Sequence, residues 1–317
     1  MLEQRAGEAP PAVRPRDGEL VDPLVPALVG EQGDAAAVGA LWRRCEEHDD
    51  GAGEITDEDI VATWVRPSFS FAEHAVAVYD DGSLVGYADS TWPGRADACV
   101  DPSYRGRGIG AALMRWTWAV AGARGDRRIG QPVSEHNAGA IALLRGHGYT
   151  ERWRSWVLEI AHEHEPAAPV VPAGYALRAA DPARDGQAAH QVIEDAFNEW
   201  DGRDPVPFDD FAAETFERPS FRPENLVLAA HGDAVVGVAL LTHEGGDMWV
   251  DKLAVARAHR GRGLARALLQ HTFGAAYALG APTVGLSTDS RTGALGLYEH
   301  VGMTLRRTYF HLARDLP

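Results

Sequence analysis

The sequence predicts a mixed α/β protein built from two tandem copies of one domain, and three observations lead to this fold class. A glycine-rich stretch occurs twice, as YRGRGIGAALM from Tyr104 and as HRGRGLARALL from His259. Flanking segments recur in the same order, since TWVRPSF from Thr63 is echoed by TFERPSF from Thr215. Within each half, strand-like and helix-like stretches alternate, as in a mixed sheet covered by helices.

The spacing of the repeats indicates duplication of a whole domain. The two motif arginines, Arg105 and Arg260, lie 155 positions apart (260 − 105), and the later Gly148 and Gly302 lie 154 apart (302 − 148). We expect a disordered tail over 1–18, a first domain over 19–161, a linker over 162–173 and a second domain over 174–317. The linker contains the letters HEHE, and a solvated segment is favoured there over a metal site, because mobile alternating residues lack the hydrogen bonds that hold metal ligands rigid.

The elements of the second half follow from periodicity and turn residues. A hairpin is predicted at His231-Gly232-Asp233, and an amphipathic helix follows the glycine motif, with Leu264, Leu268, Leu269 and Phe273 at helical spacing. In order, the predicted elements are a strand at 175–178, helices at 187–200 and 208–217, strands at 226–230, 234–242 and 248–255, the long helix to 279, a strand at 283–287, a helix at 292–300 and a strand at 303–312.

Composition limits the functional classes. The 317 residues are 45% hydrophobic and 24% charged, which fits a globular protein of two domains. No apolar run reaches the ~18 residues of a membrane span, and the first twenty residues lack an apolar signal core, so we expect a cytoplasmic protein. Cys45 and Cys99 provide no disulfide framework and no metal-ligand spacing. The net charge of −16 argues against nucleic acid as the main partner.

The glycine motif has the chemistry of an anion site. It lies between a predicted strand and the start of a predicted helix, where unpaired backbone N–H groups attract anions. Glycines let a phosphate approach the backbone closely, and arginines add charge. Neither copy ends in the Gly-Lys-Ser/Thr of a Walker A loop. A dinucleotide fingerprint would place a third glycine where Ala111 and Arg266 stand.

The combination of motifs resembles the GCN5-related N-acetyltransferases. Their signature, Gln/Arg-x-x-Gly-x-Gly/Ala, matches Arg260, Gly263 and Ala265 in the second half. In the first half it matches Arg105, Gly108 and Gly110. The stretch GALGLYEHVGM, ending at Met303, matches the second hallmark of the family, a helix with Leu-Tyr followed by Gly and an apolar residue. The tandem arrangement is similar to actinobacterial two-domain members such as mycothiol synthase.

The resemblance implies acetyl-CoA as acyl donor, a small-molecule amine as acceptor and no metal. Tyr298 takes the position of the general acid, and Asp251 that of a base acting through water. The segment ending at Val255 would polarise the thioester carbonyl and line the pantetheine arm. The implied cofactor contacts are Leu253, Ala254, Val255, Arg260, Gly261, Arg262, Gly263, Leu264 and Ala265, and in the first half Ala98, Cys99, Val100, Arg105, Gly106, Arg107, Gly108, Ile109 and Gly110.

The first half lacks the proton-handling groups. Ala96 stands where the second half has Asp251, and Leu144 stands where it has Tyr298. We therefore expect chemistry in the second half alone, with the first half either structural or holding CoA without turnover. At one position the first half matches the family better than the second half. Asn137 fits the family's cofactor-contacting asparagine, whereas Arg291 stands at that position in the second half. Thr288, Ser290 and Thr292 are the candidates to replace it.

Several alternatives stay open at this point. Glu194, Asp195 and Glu199 are alternative bases or amine-binding groups, and Trp200 and Phe208 are candidates for an acceptor pocket. For the whole chain, the alternatives to acetyl transfer onto an unidentified amine are a mycothiol synthase role, a non-catalytic acyl-CoA sensor and a phosphate-binding NTPase. The oligomeric state is predicted no further than monomer or homodimer.

Overall fold

The computed structural model describes residues 25–26, 33–199, 203, 205–244, 247–281 and 283–317. The predicted tail over 1–18 and Trp200 lie outside these residues. In the first half the strands are β1 Val25–Pro26, β2 Ala75–Asp80, β3 Ser83–Asp89, β4 Asp97–Val100, β5 Arg128–Ser134 and β6 Thr150–Ala161. The helices are α1 Gly33–Asp50, α2 Asp57–Trp64, α3 Phe71–His74, α4 Ile109–Arg124 and α5 Ala138–Gly146.

The second half repeats this order. Its strands are β7 Ala176–Ala179, β8 Leu226–His231, β9 Ala234–Glu244, β10 Asp247–Val255, β11 Thr283–Asp289 and β12 Thr304–Asp315. Its helices are α6 Pro182–Phe197, α7 Phe208–Thr215, α8 Leu264–Ala278 and α9 Leu295–His300. The predicted mixed α/β fold is confirmed, and the apolar stripe of α8 is buried as predicted, with Leu268 and Leu269 fully enclosed.

Two helix starts differ from the prediction for local reasons. Helix α6 begins five residues earlier than predicted, because Asp181 caps its N-terminus by accepting a hydrogen bond from the amide of Ala183 and Pro182 occupies the first turn. Helix α9 begins three residues later, since Gly293 adopts a positive φ of 65° that a helix does not contain. The glutamates and the second histidine of the HEHE segment are exposed, whereas His162 packs on the ring of Phe273.

Among the described residues the strands form two sheets. One has the order β1-β2-β3-β4, and the other has the order β5-β12-β6-β11-β10-β9-β8-β7. The last strand of each half therefore lies in the sheet of the other half, since β6 pairs with β11 and β12 pairs with β5. Ser155 and Tyr309 are register partners where β6 meets β12, and they are 154 positions apart (309 − 155). A pseudo-two-fold axis passes between these residues, and the exchanged strands bind the halves to each other.

The sheet splits where the glycine motif begins. Strand β10 is parallel to β11 and pairs with it at Met248 and Trp249 only among the described residues. Further along, β10 has a bulge between Val250 and Lys252 and remains paired with β9 alone. The two strands diverge, and a gap opens beside the C-terminal part of β10. In the first half an isolated parallel bridge between Arg95 and Gly130 marks the corresponding point.

Candidate active site

The glycine motif of the second half forms an open helix N-terminus. Gly261 and Gly263 have φ values of 72° and 87°, in the left-handed region that favours glycine. Gly263 is the N-cap of α8, and no side chain caps the helix there. The first amides of α8 have no acceptor within the helix, so they are free to donate to an anion. Gly261, Gly263, Leu264 and Ala265 all line the large cavity described below.

The motif arginines brace the loops in which they lie. The Arg260 Nε donates to the carbonyl of Val255 at 2.9 Å, and its Nη1 donates to Glu199 at 2.8 Å. In the first half, Arg105 donates in the same way to the carbonyl of Val100 at 3.2 Å and binds Asp49 through both terminal nitrogens. Arg105 thus ties the end of β4 to α1, and Arg260 ties the end of β10 to Glu199, two residues beyond the end of α6. An anion at the second motif would therefore be bound mainly by backbone amides.

The remaining motif arginines are directed to nearby carbonyls. Arg262 donates to the carbonyl of Ala258 at 3.4 Å, and Arg107 donates to the carbonyl of Ser103 at 3.1 Å. Arg107 also stacks on the ring of Tyr104, with its guanidinium carbon 4.5 Å from the ring centroid. Both side chains lie at exposed positions beside their loops, so they add positive charge there without closing the loop.

The segment Leu253-Ala254-Val255 runs along the gap between β10 and β11. Its three residues line the cavity, with Ala254 and Val255 buried. On one side the segment pairs with β9, through Leu253 to Ala239 and Val255 to Gly237. On the other side its pairing with β11 has already ended, so backbone groups there are free to bind an extended ligand. The first-half counterpart, Ala98-Cys99-Val100, contributes no residue to the lining of this cavity among the described residues.

Tyr298 lies in the wall of the cavity. It belongs to α9, is buried, and lines the cavity together with Thr288 and Leu297. Burial raises the pKa of Tyr298 above its ordinary value, and this outweighs a hydrogen bond with Thr288 that lowers it, while nearby Asp289 adds to the rise. The phenol is therefore protonated at neutral pH, as a proton donor must be.

Asp251 occupies the bulge of β10. Its side chain is 38% exposed and forms an ion pair with Lys252, at 2.7 Å between the carboxylate and Nζ. Burial alone would lower the pKa of Lys252, but contact with Asp251 and the field of Glu214 raise it. Lys252 thus stays charged, and Asp251 faces the cavity as an ion-paired carboxylate.

The alternative bases on α6 have structural partners. Glu194 is buried and holds Arg203, at 2.6 Å to Nη2, and accepts the amide of Val206 at 2.9 Å. Asp195 accepts from Gln191 at 2.6 Å on an exposed surface. The candidate pocket residue Phe208 packs in an aromatic cluster with Phe211 and Phe216.

Arg291 stands at the position of the family's cofactor-contacting asparagine and forms an ion pair with Asp289. Its Nε and Nη2 donate to Asp289 at 3.1 and 2.5 Å, and its guanidinium stacks on Trp153 with 4.0 Å to the ring centroid. Thr288 and Thr292 share a hydrogen bond of 3.0 Å, and Ser290 accepts a hydrogen bond from the amide of Arg154 at 3.3 Å. Arg291 and both threonines line the cavity.

A cavity of about 1300 Å³ joins the two halves. On one side it is lined by the second-half motif, β10 and Tyr298, and on the other by Asp89, Trp92 and Asp97 of the first half. Ser155 and Tyr309, at the pseudo-two-fold axis, lie between the two ends. No linear motif points to these first-half residues, because they lie at the end of β3, at the start of β4 and in the irregular segment between the two strands. Sequence reasoning missed them for that reason.

The corresponding gap of the first half is closed by the end of α1. The Asn137 amide donates to Asp49 at 2.9 Å, and its oxygen accepts the amide of Ala140 at 3.0 Å. Asp50 is 3% exposed at its side chain and accepts from Ser134 at 2.5 Å and from the Tyr309 hydroxyl at 3.1 Å. Two aspartates thus bridge α1, β5 and β12 where the second half is open. Asn137, the better sequence match to a cofactor contact, already has partners for both ends of its amide.

Asp89 has no ion-pair partner within 4.0 Å among the described residues. The burial of its carboxyl group leads to a prediction about the pH dependence of stability. Burial, together with the field of Asp97, raises the pKa of Asp89 to about 8 from 3.8. The folded protein therefore binds a proton that the unfolded chain has released, and this stabilisation is lost as pH rises from about 4 to about 8. We expect Asp89→Asn to raise Tm relative to wild type at pH 8.5 and to change it little at pH 4.5. Thermal melts across this range test it, and a Tm difference that does not grow with pH contradicts it.

The fold and the site define an acyltransferase, and the chain belongs to the acetyltransferase (GNAT) family. The family model matches residues 37–149 and again residues 189–303. The predicted tandem GNAT organisation and acyltransferase activity are thereby confirmed. Among the described residues, no helix combines the length and apolar character that crossing a membrane requires.

Relatives and solved structures agree with this assignment. A mycothiol acetyltransferase of Thermobispora bispora is 27% identical over 86% of this chain and 93% of its own length. A mycothiol acetyltransferase of Actinosynnema mirum is 31% identical over 67% of this chain and 71% of its own. A GCN5-related N-acetyltransferase from Sphaerobacter thermophilus has a TM-score of 0.72, with 29% identity over 90% of this chain and 93% of that chain. A tandem GNAT protein from the clavulanic acid biosynthesis pathway shares the fold, with a TM-score of 0.68 and 17% identity over 92% and 98% of the two chains.

Proposed function

We propose that the protein is an acetyl-CoA-dependent N-acetyltransferase in which the second half, residues 174–317, carries out acetyl transfer to a small-molecule amine. One observation supports this most directly. The open helix N-terminus of α8, the free edge of β10 and the hydroxyl-bearing Tyr298 all line one cavity. In this arrangement the α8 amides bind the pyrophosphate of acetyl-CoA, and the acyl arm follows the β10 edge towards Tyr298.

The reaction proceeds by direct attack. The neutral amine nitrogen forms a bond to the thioester carbonyl carbon, while a backbone N–H of the segment Leu253-Ala254-Val255 stabilises the oxyanion. The carbon–sulfur bond then breaks, and Tyr298 gives its proton to the departing thiolate. The proton released by the amine passes through water to Asp251 and from there to solvent, while Tyr298 regains a proton from solvent. The products are the N-acetylated amine and CoA.

The first half has charges unsuited to a second molecule of acetyl-CoA. Asp49 and Asp50 lie at the closed gap, where they would repel a pyrophosphate. Beside the motif, Tyr104 interacts with Asp80 in the first half. In the second half the corresponding positions are His259 and His231, whose rings lie 5.5 Å apart at their centroids. We infer that the first half is structural and forms one wall of the acceptor cavity.

Binding stoichiometry tests this assignment. We expect isothermal titration of the full-length protein with acetyl-CoA to give one site per chain, because one motif opens into the cavity and the other adjoins a closed gap. Titration with CoA alone serves as a control and is expected to give the same stoichiometry. Two sites of comparable affinity would contradict the proposed role of the first half.

The cavity supports a cationic acceptor. Asp89 and Glu46 line it and have no ion-pair partner within 4.0 Å among the described residues. Burial raises the pKa of both groups, and a cationic group of the bound acceptor favours their ionised forms. The mycothiol acetyltransferase relatives favour a second, narrower candidate, the amine of a cysteinyl glycoside. Thiol release from acetyl-CoA across an amine panel that includes a cysteinyl glycoside separates the two, since preference for that substrate by at least tenfold in kcat/KM supports the narrower one.

A further inference from the structure

The repeated segments TWVRPSF and TFERPSF lie outside the chemistry described so far, and they meet in the structure. Each begins in the last turn of a helix, α2 in the first half and α7 in the second, and each contributes an arginine and a serine 152 positions from its counterpart (218 − 66). Helices α2 and α7 pack against each other across the pseudo-two-fold axis. We refer to the two arginines and two serines with their carboxylate partners as the RPSF clasp: Arg66, Ser68, Arg218, Ser220, Glu58, Asp59, Asp210 and Glu214.

The serine contacts of the clasp are reciprocal. Ser220 of the second half donates to Glu58 of α2 through its amide at 3.2 Å and its hydroxyl at 2.5 Å. Ser68 of the first half donates to Asp210 of α7 through its amide at 3.2 Å and also through its hydroxyl. Each half therefore presents two donors to a carboxylate in the first turn of the opposing helix. Burial raises the pKa of Glu58, but the hydrogen bonds from Ser220 and the charge of Arg218 outweigh it, so the pKa is lowered and the carboxylate stays ionised.

The arginine contacts break this symmetry. Arg218 binds Asp59 at 2.7 Å and Glu58 at 3.3 Å. Phe211 stands where the second half would need a counterpart of Asp59 (59 + 152). Arg66 consequently contacts Glu214 through Nε alone, at 3.3 Å, and its two terminal nitrogens are buried without a partner among the described residues. Its guanidinium instead stacks on Trp92, 4.2 Å from the ring centroid.

The clasp fixes one wall of the acceptor cavity. Asp59 and Thr63, one helical turn apart on α2, line the cavity, and so does Trp92. Arg218 and Ser220 bind carboxylates in the first turn of α2, while the Arg66 guanidinium stacks on Trp92. None of the clasp residues belongs to the α8 motif or to β10, where acetyl-CoA is proposed to bind. The clasp is therefore placed to affect binding of the acceptor amine without affecting binding of acetyl-CoA.

We propose that the RPSF clasp positions the first-half wall of the acceptor site and thereby sets acceptor affinity. This inference rests on the proposed acetyl transfer. It explains why both copies of a segment remote from the catalytic motif are retained, since each copy holds the helix of the other half. Its residues are positioning residues, because they act through α2 and Trp92.

Steady-state kinetics of Glu58→Ala, Ser220→Ala and the double variant test the proposal. The assay measures thiol release from acetyl-CoA with the fastest amine of the panel described above. We expect Glu58→Ala to raise the acceptor KM about tenfold and Ser220→Ala about threefold, with the acetyl-CoA KM within about twofold of wild type. The double variant is expected to match Glu58→Ala, because both changes remove one contact.

Ser103→Ala is the matched control. Ser103 also donates its amide and hydroxyl to one carboxylate, Asp101 at 3.0 and 2.5 Å, but within the first half. An unchanged acceptor KM in an active Glu58→Ala variant overturns the proposal, and so does a parallel rise of both KM values. If Glu58→Ala fails to fold, Ser220→Ala decides by the same criterion. Absence of turnover by the wild-type protein with every amine overturns the proposed function and this inference together.

Discussion

Replacement of Tyr298 by phenylalanine is expected to lower kcat for acetyl transfer by about two to three orders of magnitude, with the acetyl-CoA KM within about twofold of wild type. The change removes one oxygen from a buried ring and leaves the packing of α9 in place. Without the phenol, the thiolate leaves unprotonated into a poorly solvated cavity. Because burial raises the pKa of Tyr298, the alkaline limb that its titration adds to the wild-type pH profile lies at higher pH than that of an ordinary tyrosine. The variant is expected to lack that limb.

Tyr149→Phe provides a matched control for this experiment. Tyr149 is also buried, and its hydroxyl accepts a hydrogen bond from Trp118 Nε1 at 2.7 Å. It does not line the cavity. We expect this variant to lose a little stability and to keep kcat within about twofold of wild type. A Tyr298→Phe enzyme with kcat within threefold of wild type would remove Tyr298 from the role of general acid.

The duplication made much of the fold predictable. Constant spacing of Arg105 and Arg260 identified two copies, and periodicity located the elements of the second half to within five residues at most. The exchange of β6 and β12 was not predictable, because both read as ordinary final strands. The partner of a strand is decided by register and by the neighbouring edge that is free, and neither is encoded in the strand's own alternation.

The parts of the candidate site that depend on a few neighbouring residues could be predicted from the sequence. A helix N-terminus after two glycines and a tyrosine at a fixed position in the next motif are such features. Asn137 shows the limit of this reasoning, since its position matches a cofactor contact but Asp49 from a distant helix binds its amide. The raised pKa of Asp89 could not be predicted either. A lone aspartate at the end of a strand acquires such a pKa only through burial in the folded protein.

Introducing aspartate at the second motif is expected to abolish most acetyl-CoA binding. Gly263→Asp places a carboxylate at the N-cap of α8, where it competes with the pyrophosphate for the positive end of the helix. It also adds a negative charge beside the phosphates. We expect the Kd for acetyl-CoA to rise about a hundredfold, equivalent to about 2.7 kcal/mol, as measured by isothermal titration.

Gly108→Asp in the first half separates this effect from a loss of stability. Gly108 and Gly263 are both N-caps, and their φ values are 86° and 87°, so aspartate meets the same left-handed backbone in each. Asp tolerates that conformation better than most residues, and the cost of adopting it is similar at the two positions. The two variants should therefore show similar changes in Tm, while Gly108→Asp keeps the wild-type Kd within about twofold. Equal weakening of acetyl-CoA binding in both would mean that the first motif also contributes to the donor site, in spite of the aspartates that close its gap.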